Sequence, residues 1–416
     1  MSVDATDLSR LIAGHFTQDP PDTLGIAVSG GSDSVALLIL LHDWSQSGGP
    51  RLHAVSVDHG LRPESAGEAE DVAKLCASLN IPHKTLHWQW DGTANLPDQA
   101  RRGRYEAMAE WATDKGIHDI ALGHTQDDLA ETFLMRLSRG AGLDGLSAMA
   151  ARRQVKGVTL HRPMLSIPRL ALRDVLTKRA ISWADDPSND DPAYDRTQAR
   201  RALNTLAPLG ITSPGLANVA QNLREARDAL GQVAVRLASD IVSFDAGDIL
   251  MTRAALLEQP AELQRRLVQG ALQWVGNDGY PPRGPALMRA LNAVQAGEAC
   301  TLHGCRLLIR NTHLRITREW SAVEGLRCKT DEIWDARWQF HGFETGELYI
   351  SALGESGLQH CPDRKASGRP AASLIASPAI WHGDTLVAAP LAGLSNGWRA
   401  TRLHDVADYN AALLSH

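Results

Sequence analysis

The sequence predicts an α/β fold: a doubly wound, mostly parallel sheet, followed by a mainly helical domain and a small α+β C-terminal domain. Three observations lead there. Over the first 140 residues, short β-type runs alternate with amphipathic helical runs. The hexapeptide Ser29-Gly30-Gly31-Ser32-Asp33-Ser34 sits where the first apolar strand gives way to the first apolar helix. Past about residue 210 the pattern turns to long helical runs, and past about 325 to Gly/Pro-rich sequence with short strand-like pieces. With a length of 416 residues, this divides the chain into 1–208, 209–325 and 326–416.

The elements follow in order. Leu24–Ser29 reads as an apolar strand and Ser34–Trp44 as the helix after it. Leu52–Asp58 is a second strand, with a helix over Ser65–Leu79; His83–Trp90 alternates as a third strand. A helix over Leu96–Lys115 leads to a fourth strand, Asp119–Gly123. Thr125 then caps a helix to about Arg139, with Asp127 and Asp128 in its first turn, where the helix dipole favours acids. Strand–helix alternation requires right-handed crossovers, and the ligands of such sheets lie at the carboxyl ends of the strands.

From Arg139 to Leu206 the pattern becomes a Gly-rich turn, basic segments and the polar loop Ala184–Tyr194. A long helix is expected from Ser213 to about Val242, with others over Ala261–Val275 and Pro285–Ala296. Cys300–Arg318 alternates like a hairpin, and Thr385–Ala388 is a short strand-like piece near the end.

The hexapeptide carries the chemistry. Two glycines let the backbone turn sharply and approach a ligand closely. Its amides converge at a helix N-terminus and form a nest for an anion, with Ser29, Ser32 and Ser34 adding hydroxyl donors. Asp33 is placed to hold Mg²⁺ against phosphates. The Walker pattern and its lysine are missing, so this is a different phosphate loop.

Composition narrows the setting. Hydrophobic residues make up 44% and charged residues 22%, enough for a full core in an ordinary globular chain. The longest apolar run, Val35 to Leu41, is too short to span a bilayer, so no membrane partner is expected. Met1-Ser2-Val3-Asp4 has neither basic patch nor apolar signal core, and a cytoplasmic location is expected. Five scattered cysteines (Cys76, Cys300, Cys305, Cys328, Cys361) fit a reducing compartment without a disulfide framework. Net charge is −6, yet between Ala151 and Thr205 eleven Lys/Arg stand against six Asp, a local charge of +5. A local basic surface is what draws a phosphate backbone, although the same residues also read as a solvated basic face.

Further segments accompany the loop. These are Val57-Asp58-His59-Gly60-Leu61-Arg62, Ala100-Arg101-Arg102-Gly103-Arg104-Tyr105 and the run Gly123-His124-Thr125-Gln126-Asp127-Asp128-Leu129-Ala130-Glu131-Thr132. Then come Arg139-Gly140-Ala141-Gly142-Leu143-Asp144-Gly145-Leu146, Arg162-Pro163-Met164-Leu165, Asp186-Pro187-Ser188-Asn189 and Tyr194-Asp195-Arg196. The loop resembles that of the PP-loop, or N-type, ATP-pyrophosphatases, whose Rossmann-like domain cleaves ATP to AMP and pyrophosphate. In this order and spacing the segments resemble the tRNA(Ile)-lysidine synthase family, closely over residues 20 to 202 and loosely beyond. That family often has two consecutive histidines where this chain has His124-Thr125.

The resemblance implies an ATP-dependent ligase that joins free lysine to C2 of a cytidine in the CAU anticodon of isoleucine tRNA, through an adenylated base. It implies ATP binding at Ser29, Gly30, Gly31, Ser32, Asp33, Ser34, Val57, Asp58 and His59, with Mg²⁺ on Asp33. Charge on the transferring phosphates calls for an arginine, with Arg104 the leading candidate and Arg139 next. Lysine is protonated at neutral pH, so a carboxylate must orient its ammonium or take its proton. Asp128 and Glu131, three apart on one helical face, are the candidates. Asp33, Arg104 and Asp128 are thus the expected catalytic residues, while Arg62, His124, Asp127 and Arg139 line the site. Arg152, Arg153, Arg196 and Arg200 are expected to hold tRNA, the last two one helical turn apart.

Three rivals are weighed against this. A thiolating PP-loop enzyme needs cysteine nucleophiles, and the catalytic region has only Cys76 and no CxxC pair. An amidotransferase needs an ammonia source such as a glutaminase domain, and none is evident. A non-catalytic RNA-binding scaffold would not need Asp33, Asp128 and Glu131. A zinc cluster drawn from Cys300, His303, Cys305, Cys328, His360 and Cys361 lacks knuckle spacing. Oligomeric state stays open.

Overall fold

The computed structural model describes residues 5–58, 65–88, 96–185, 195–277, 281–343 and 346–414. These form two compact units, Met1–Glu225 and Ala226–His416. The first opens with α1 (Ala5–Gly14), β1 (Thr23–Ala27), α2 (Ser32–Gln46), β2 (Arg51–Asp58), α3 (Ser65–Ser78) and β3 (His83–His87). It continues through α4 (Leu96–Asp114), β4 (Asp119–Leu122), α5 (Gln126–Leu137) and the single turn α6 (Leu143–Leu146). Then follow β5 (Arg152–Val155), β6 (Val158–His161), α7 (Arg169–Lys178), α8 (Asp195–Leu206) and α9 (Ser213–Ile241), whose second half belongs to the next unit.

The sheet runs β3-β2-β1-β4-β6-β5, parallel throughout except at the β5–β6 edge. Strands buried on both faces read as nearly continuous apolar runs, as Leu24-Gly25-Ile26-Ala27-Val28 does, with Leu24, Gly25 and Ile26 all buried. One face packs Leu24, Ile26 and Ala54 against α1, α2, α3 and α7; the other packs Val55, Ile120 and Leu122 against Tyr105, Met108 and Ala109 of α4. The order reverses between β1 and β4, because β2 and β3 lie to one side and β6 to the other. Their carboxyl ends part there and leave the crevice in which such sheets bind ligands.

The four expected strands and their helices are present to within a few residues. What the sequence left as turns and basic segments between Arg139 and Leu206 is instead the β5–β6 hairpin together with α7 and α8. The hairpin extends the sheet by two strands. Each strand is only four residues long, too short for a period to show, although Val158 and Leu160 of β6 are buried in the core.

In the second unit, Val242–Asp245, Asp248–Thr252, His313–Arg318, Cys305–Arg310 and Cys300–Leu302 form a five-stranded antiparallel sheet in that spatial order. Helix Ala261–Gly276 covers it through Leu267, Ala271 and Val275. The expected hairpin over Cys300–Arg318 is therefore part of a larger sheet. A separate core of Trp334, Trp338, Ile350, Ile380 and Trp398 holds the short strands that follow, including Thr385–Ala388. Arg315 pairs with Asp248 at 2.6 Å and Asp245 at 2.8 Å within this unit. All five cysteines carry free thiols. Among the described residues, no helix is long and apolar enough to cross a membrane.

Candidate active site

The site is built where β1 ends. Gly30 takes φ +87°, a left-handed conformation that costs glycine nothing, and reverses the chain into α2. Ser34 Oγ then donates to the Gly31 carbonyl at 3.0 Å and accepts from the Ser29 amide at 3.1 Å, closing the loop over the first turn of α2. The Gly30 carbonyl accepts from the Ala184 amide at 2.9 Å, which ties the segment after α7 to the nest. On the other side β4 comes in so closely that a Cβ on Gly123 would stand 3.0 Å from Ser34 Cα. The helix N-terminus thus faces a cleft of about 1300 Å³.

At the far wall Thr125 caps α5 with a reciprocal box. Its backbone N–H and hydroxyl donate to Asp128 Oδ2 at 2.8 and 2.9 Å, and its Oγ1 accepts from the Asp128 amide at 3.4 Å. The residue standing in place of the family's second histidine is therefore an N-cap that fixes Asp128. Burial opposes ionisation of Asp128, but Arg169 and the Thr125 amide outweigh it and hold the carboxyl below its usual range. Asp33, also beside Arg169, goes the other way: burial dominates and raises it, with the Asp128 charge adding to the shift. Two neighbouring carboxyls are so driven apart. His124, buried among arginines, falls to about 3 and is neutral at pH 7.

Arg169, the first residue of α7, joins the two walls. Its Nε donates to Asp33 Oδ2 at 2.8 Å, and its terminal nitrogens reach Glu131 Oε1 at 3.2 Å and Asp128 Oδ2 at 3.5 Å. Its own amide donates to Asp127 Oδ2 at 2.8 Å. Arg200 Nε approaches Glu131 Oε1 to 2.6 Å, and Arg196 lies 3.9 Å from Asp128 Oδ1. One turn along α7, Arg173 Nε donates to Ser32 Oγ at 3.3 Å.

The cleft brings together most of the residues read from the sequence. Ser29, Gly31, Ser32, Asp33 and Ser34 line it, as do Val57 and Asp58 at the end of β2. So do Arg104, His124, Asp128, Arg139, Arg196 and Arg200. Gly30 shapes the nest from behind, and Asp127 holds the start of α7. Glu131 is fully buried and held by Arg169 and Arg200, so it acts on those arginines from beneath rather than from the cleft wall. Arg152 and Arg153 stand apart on the exposed edge strand β5, where Arg152 donates to the His15 carbonyl. His59, Arg62, Asp186-Pro187-Ser188-Asn189 and Tyr194 lie outside the described residues.

Arginine dominates the remaining lining, with Arg101 and Arg136 beside Arg104 and Arg139. Burial raises the Tyr105 hydroxyl, yet Arg104, Arg101 and Arg162 overcome it and bring it down to about 8. So much positive charge facing a helix N-terminus suits a polyanion. The sequence reading counted Arg169 and Arg173 only among the basic residues of Ala151–Thr205 and not as site residues, although Pro168 before the apolar spacing Leu172, Val175, Leu176 signals a helix start there. Among the described residues, no three His, Cys, Asp or Glu side chains gather as a metal-binding group.

A PP-loop domain family matches residues 4–207. The whole chain is 47% identical over 417 residues to the tRNA(Ile)-lysidine synthase of Ruegeria pomeroyi, all of which is covered. The corresponding synthase of Hyphomonas neptunium is 40% identical over 305 residues, covering 71% of this chain and 81% of that one. That of Rhodopseudomonas palustris is 40% identical over 302 residues, with 71% and 86% covered.

Proposed function

The chain belongs to the tRNA(Ile)-lysidine synthase family of PP-loop proteins, and from that premise we propose how its cleft performs the family's reaction. It is an ATP-dependent ligase that forms a carbon–nitrogen bond on tRNA. The finer reading is that free lysine is the amine and that the acceptor is C2 of the wobble cytidine in the CAU anticodon of isoleucine tRNA. The first step joins the base oxygen to the α-phosphorus and releases pyrophosphate. The lysine ε-nitrogen then attacks C2, loses a proton and expels AMP.

One observation carries this reading: a single cleft joins an anion-binding nest to an ionised carboxylate. The nest over Ser29–Ser34 receives the triphosphate, and Val57, Asp58 and His59 complete the nucleotide site. Asp33 faces the cleft from the first turn of α2, and one carboxylate shared with substrate phosphates is a donor set that suits Mg²⁺. When bound, that ion neutralises phosphate charge. Arg104, with Arg139 next, is the arginine that meets charge on the transferring phosphates; both line the same cleft.

Asp128 holds the lysine ammonium and takes its proton. Its lowered pKa keeps it ionised at neutral pH, the state that either role requires. Glu131 supports it by holding Arg169 and Arg200. His124 stays neutral and lines the site, as Arg62 is also proposed to do. A base must be splayed from its stack to enter such a cleft. Arg196 and Arg200 on α8 hold the tRNA at the cleft, while Arg152 and Arg153 on the edge strand offer phosphate contacts further out. Residues 209–325 and 326–416 grip the rest of the tRNA.

The test is incorporation of radiolabelled lysine with ATP and Mg²⁺, offered isoleucine tRNA with a CAU anticodon beside methionine tRNA. ATP-dependent label on the first alone supports the reading. No label, with ATP–pyrophosphate exchange on another acceptor, would keep the nucleotide chemistry and remove this substrate.

A further inference from the structure

The arginines of the cleft differ in what already engages them. Arg169 is 18% exposed and is committed to three carboxylates. Arg200 is 2.6 Å from buried Glu131. Arg139 pairs with Asp195, Arg136 donates to the Gly145 carbonyl, and Arg104 stands with its guanidinium carbon 5.3 Å from the Tyr105 ring centre. Each of these is anchored to protein away from the neutral hydroxyls of the nest.

Arg173 also meets a ring, its guanidinium carbon 5.9 Å from the centre of Trp183, but it reaches a hydroxyl of the nest as well. It lies one turn after Arg169 on α7, so the two side chains project from the same face. Its Nε touches Ser32 Oγ, a neutral group of the nest itself. Its carboxylate partner, Asp185, is 73% exposed and 3.3 Å away, and Arg173 is 44% exposed. A solvated pair at that distance contributes little and exchanges readily for a better anion. Both residues line the cleft.

We propose that Arg173 is a catalytic residue that binds the pyrophosphate end of ATP, leaving Asp185 for the β- and γ-phosphates when the nucleotide enters. As the base oxygen bonds to the α-phosphorus, the bond from that phosphorus to the bridging oxygen breaks. The electron pair departs on the β-phosphate, where this guanidinium stands to receive the charge. Helix α7 then has two tasks: Arg169 fixes the carboxylates, and Arg173 meets the leaving group.

This rests on the ATP-dependent reading above, so wild-type lysine incorporation and nucleotide binding are measured alongside. Arg173→Ala and Arg173→Lys are compared by titration with ATP, with inorganic pyrophosphate and with AMP. Arg173→Ala is expected to weaken ATP and pyrophosphate by about ten- to a hundredfold and to leave AMP unchanged. Arg173→Lys, which keeps a point charge without the fork, recovers part of the loss. Unchanged pyrophosphate affinity overturns the proposal. So does an equal loss for AMP in both variants, which marks Arg173 as a brace for the nest. If wild-type protein binds neither ATP nor pyrophosphate, it is the ATP-dependent reading that fails.

Discussion

Arg169 Nε lies 2.8 Å from Asp33 Oδ2, so one guanidinium ties the phosphate loop to the carboxylates of α5. Removing one partner of a buried ion pair leaves its charge uncompensated, at roughly 3–5 kcal/mol when burial is complete. Arg169 retains 18% exposure, so Arg169→Met is expected near the lower end, about 3 kcal/mol. Urea unfolding measures it. Arg169→Lys keeps the charge but not the three-way fork, and should fold better while still losing activity. Equal activity in the lysine variant and the wild type would show that the fork is dispensable.

Asp128→Asn keeps the side chain's shape and one carbonyl-like acceptor for the Thr125 amide, so the start of α5 should persist. It removes the charge that holds an ammonium and the base that takes its proton. Turnover is expected to fall by on the order of 10²–10⁴, the usual scale for a general base, while circular dichroism stays native. Retained lysine incorporation excludes Asp128 from this role.

Gly123 is set by contact. A methyl there stands 3.0 Å from Ser34 Cα and 3.1 Å from the Ser34 amide nitrogen, and backbone cannot step aside as a side chain does. Gly123→Ala is therefore expected to displace the first turn of α2, costing about 1–3 kcal/mol of overpacking and weakening ATP by more than tenfold. Thermal melting and nucleotide titration read the two effects. Native ATP affinity in this variant would mean that the nest and β4 move independently.

The parallel sheet and nest were legible because they rest on local signals: apolar strand runs, a glycine pair, and a cap residue before acids. Thr125 shows this well, since its hydroxyl and the Asp128 carboxylate form the box that the letters suggested. Arg169 was not legible in the same way. It is 136 residues from Asp33 in the chain, and nothing in either segment encodes their meeting. Glu131 was read as facing the substrate because it shares a helical face with Asp128. The side chain that covers it, Arg200, comes from α8, a helix hidden in basic sequence. The β5–β6 hairpin was missed because four-residue strands are too short to show a period, even though Val158 and Leu160 of β6 are buried in the core.

The last prediction concerns acid stability, away from the cleft. His15 Nε2 lies 3.0 Å from His161 Nδ1, and His161 Nε2 lies 2.7 Å from Asp119 Oδ1. Burial, the His161 ring and Arg152 bring His15 from 6.5 down to about 4; burial lowers His161 as well, against the pull of Asp119. In the unfolded chain His15 takes up its proton near pH 6.5, while in the folded chain it resists to about 4. Between those values the unfolded state binds more protons, so stability falls as pH falls, and the contribution levels off below about 4. His15→Gln removes the titration but can still hydrogen-bond to His161. Its melting temperature should therefore drop less than the wild type's between pH 7 and pH 5. A steeper drop in the variant would mean that His15 is protonated in the folded state, with Asp119 drawing the charge through His161.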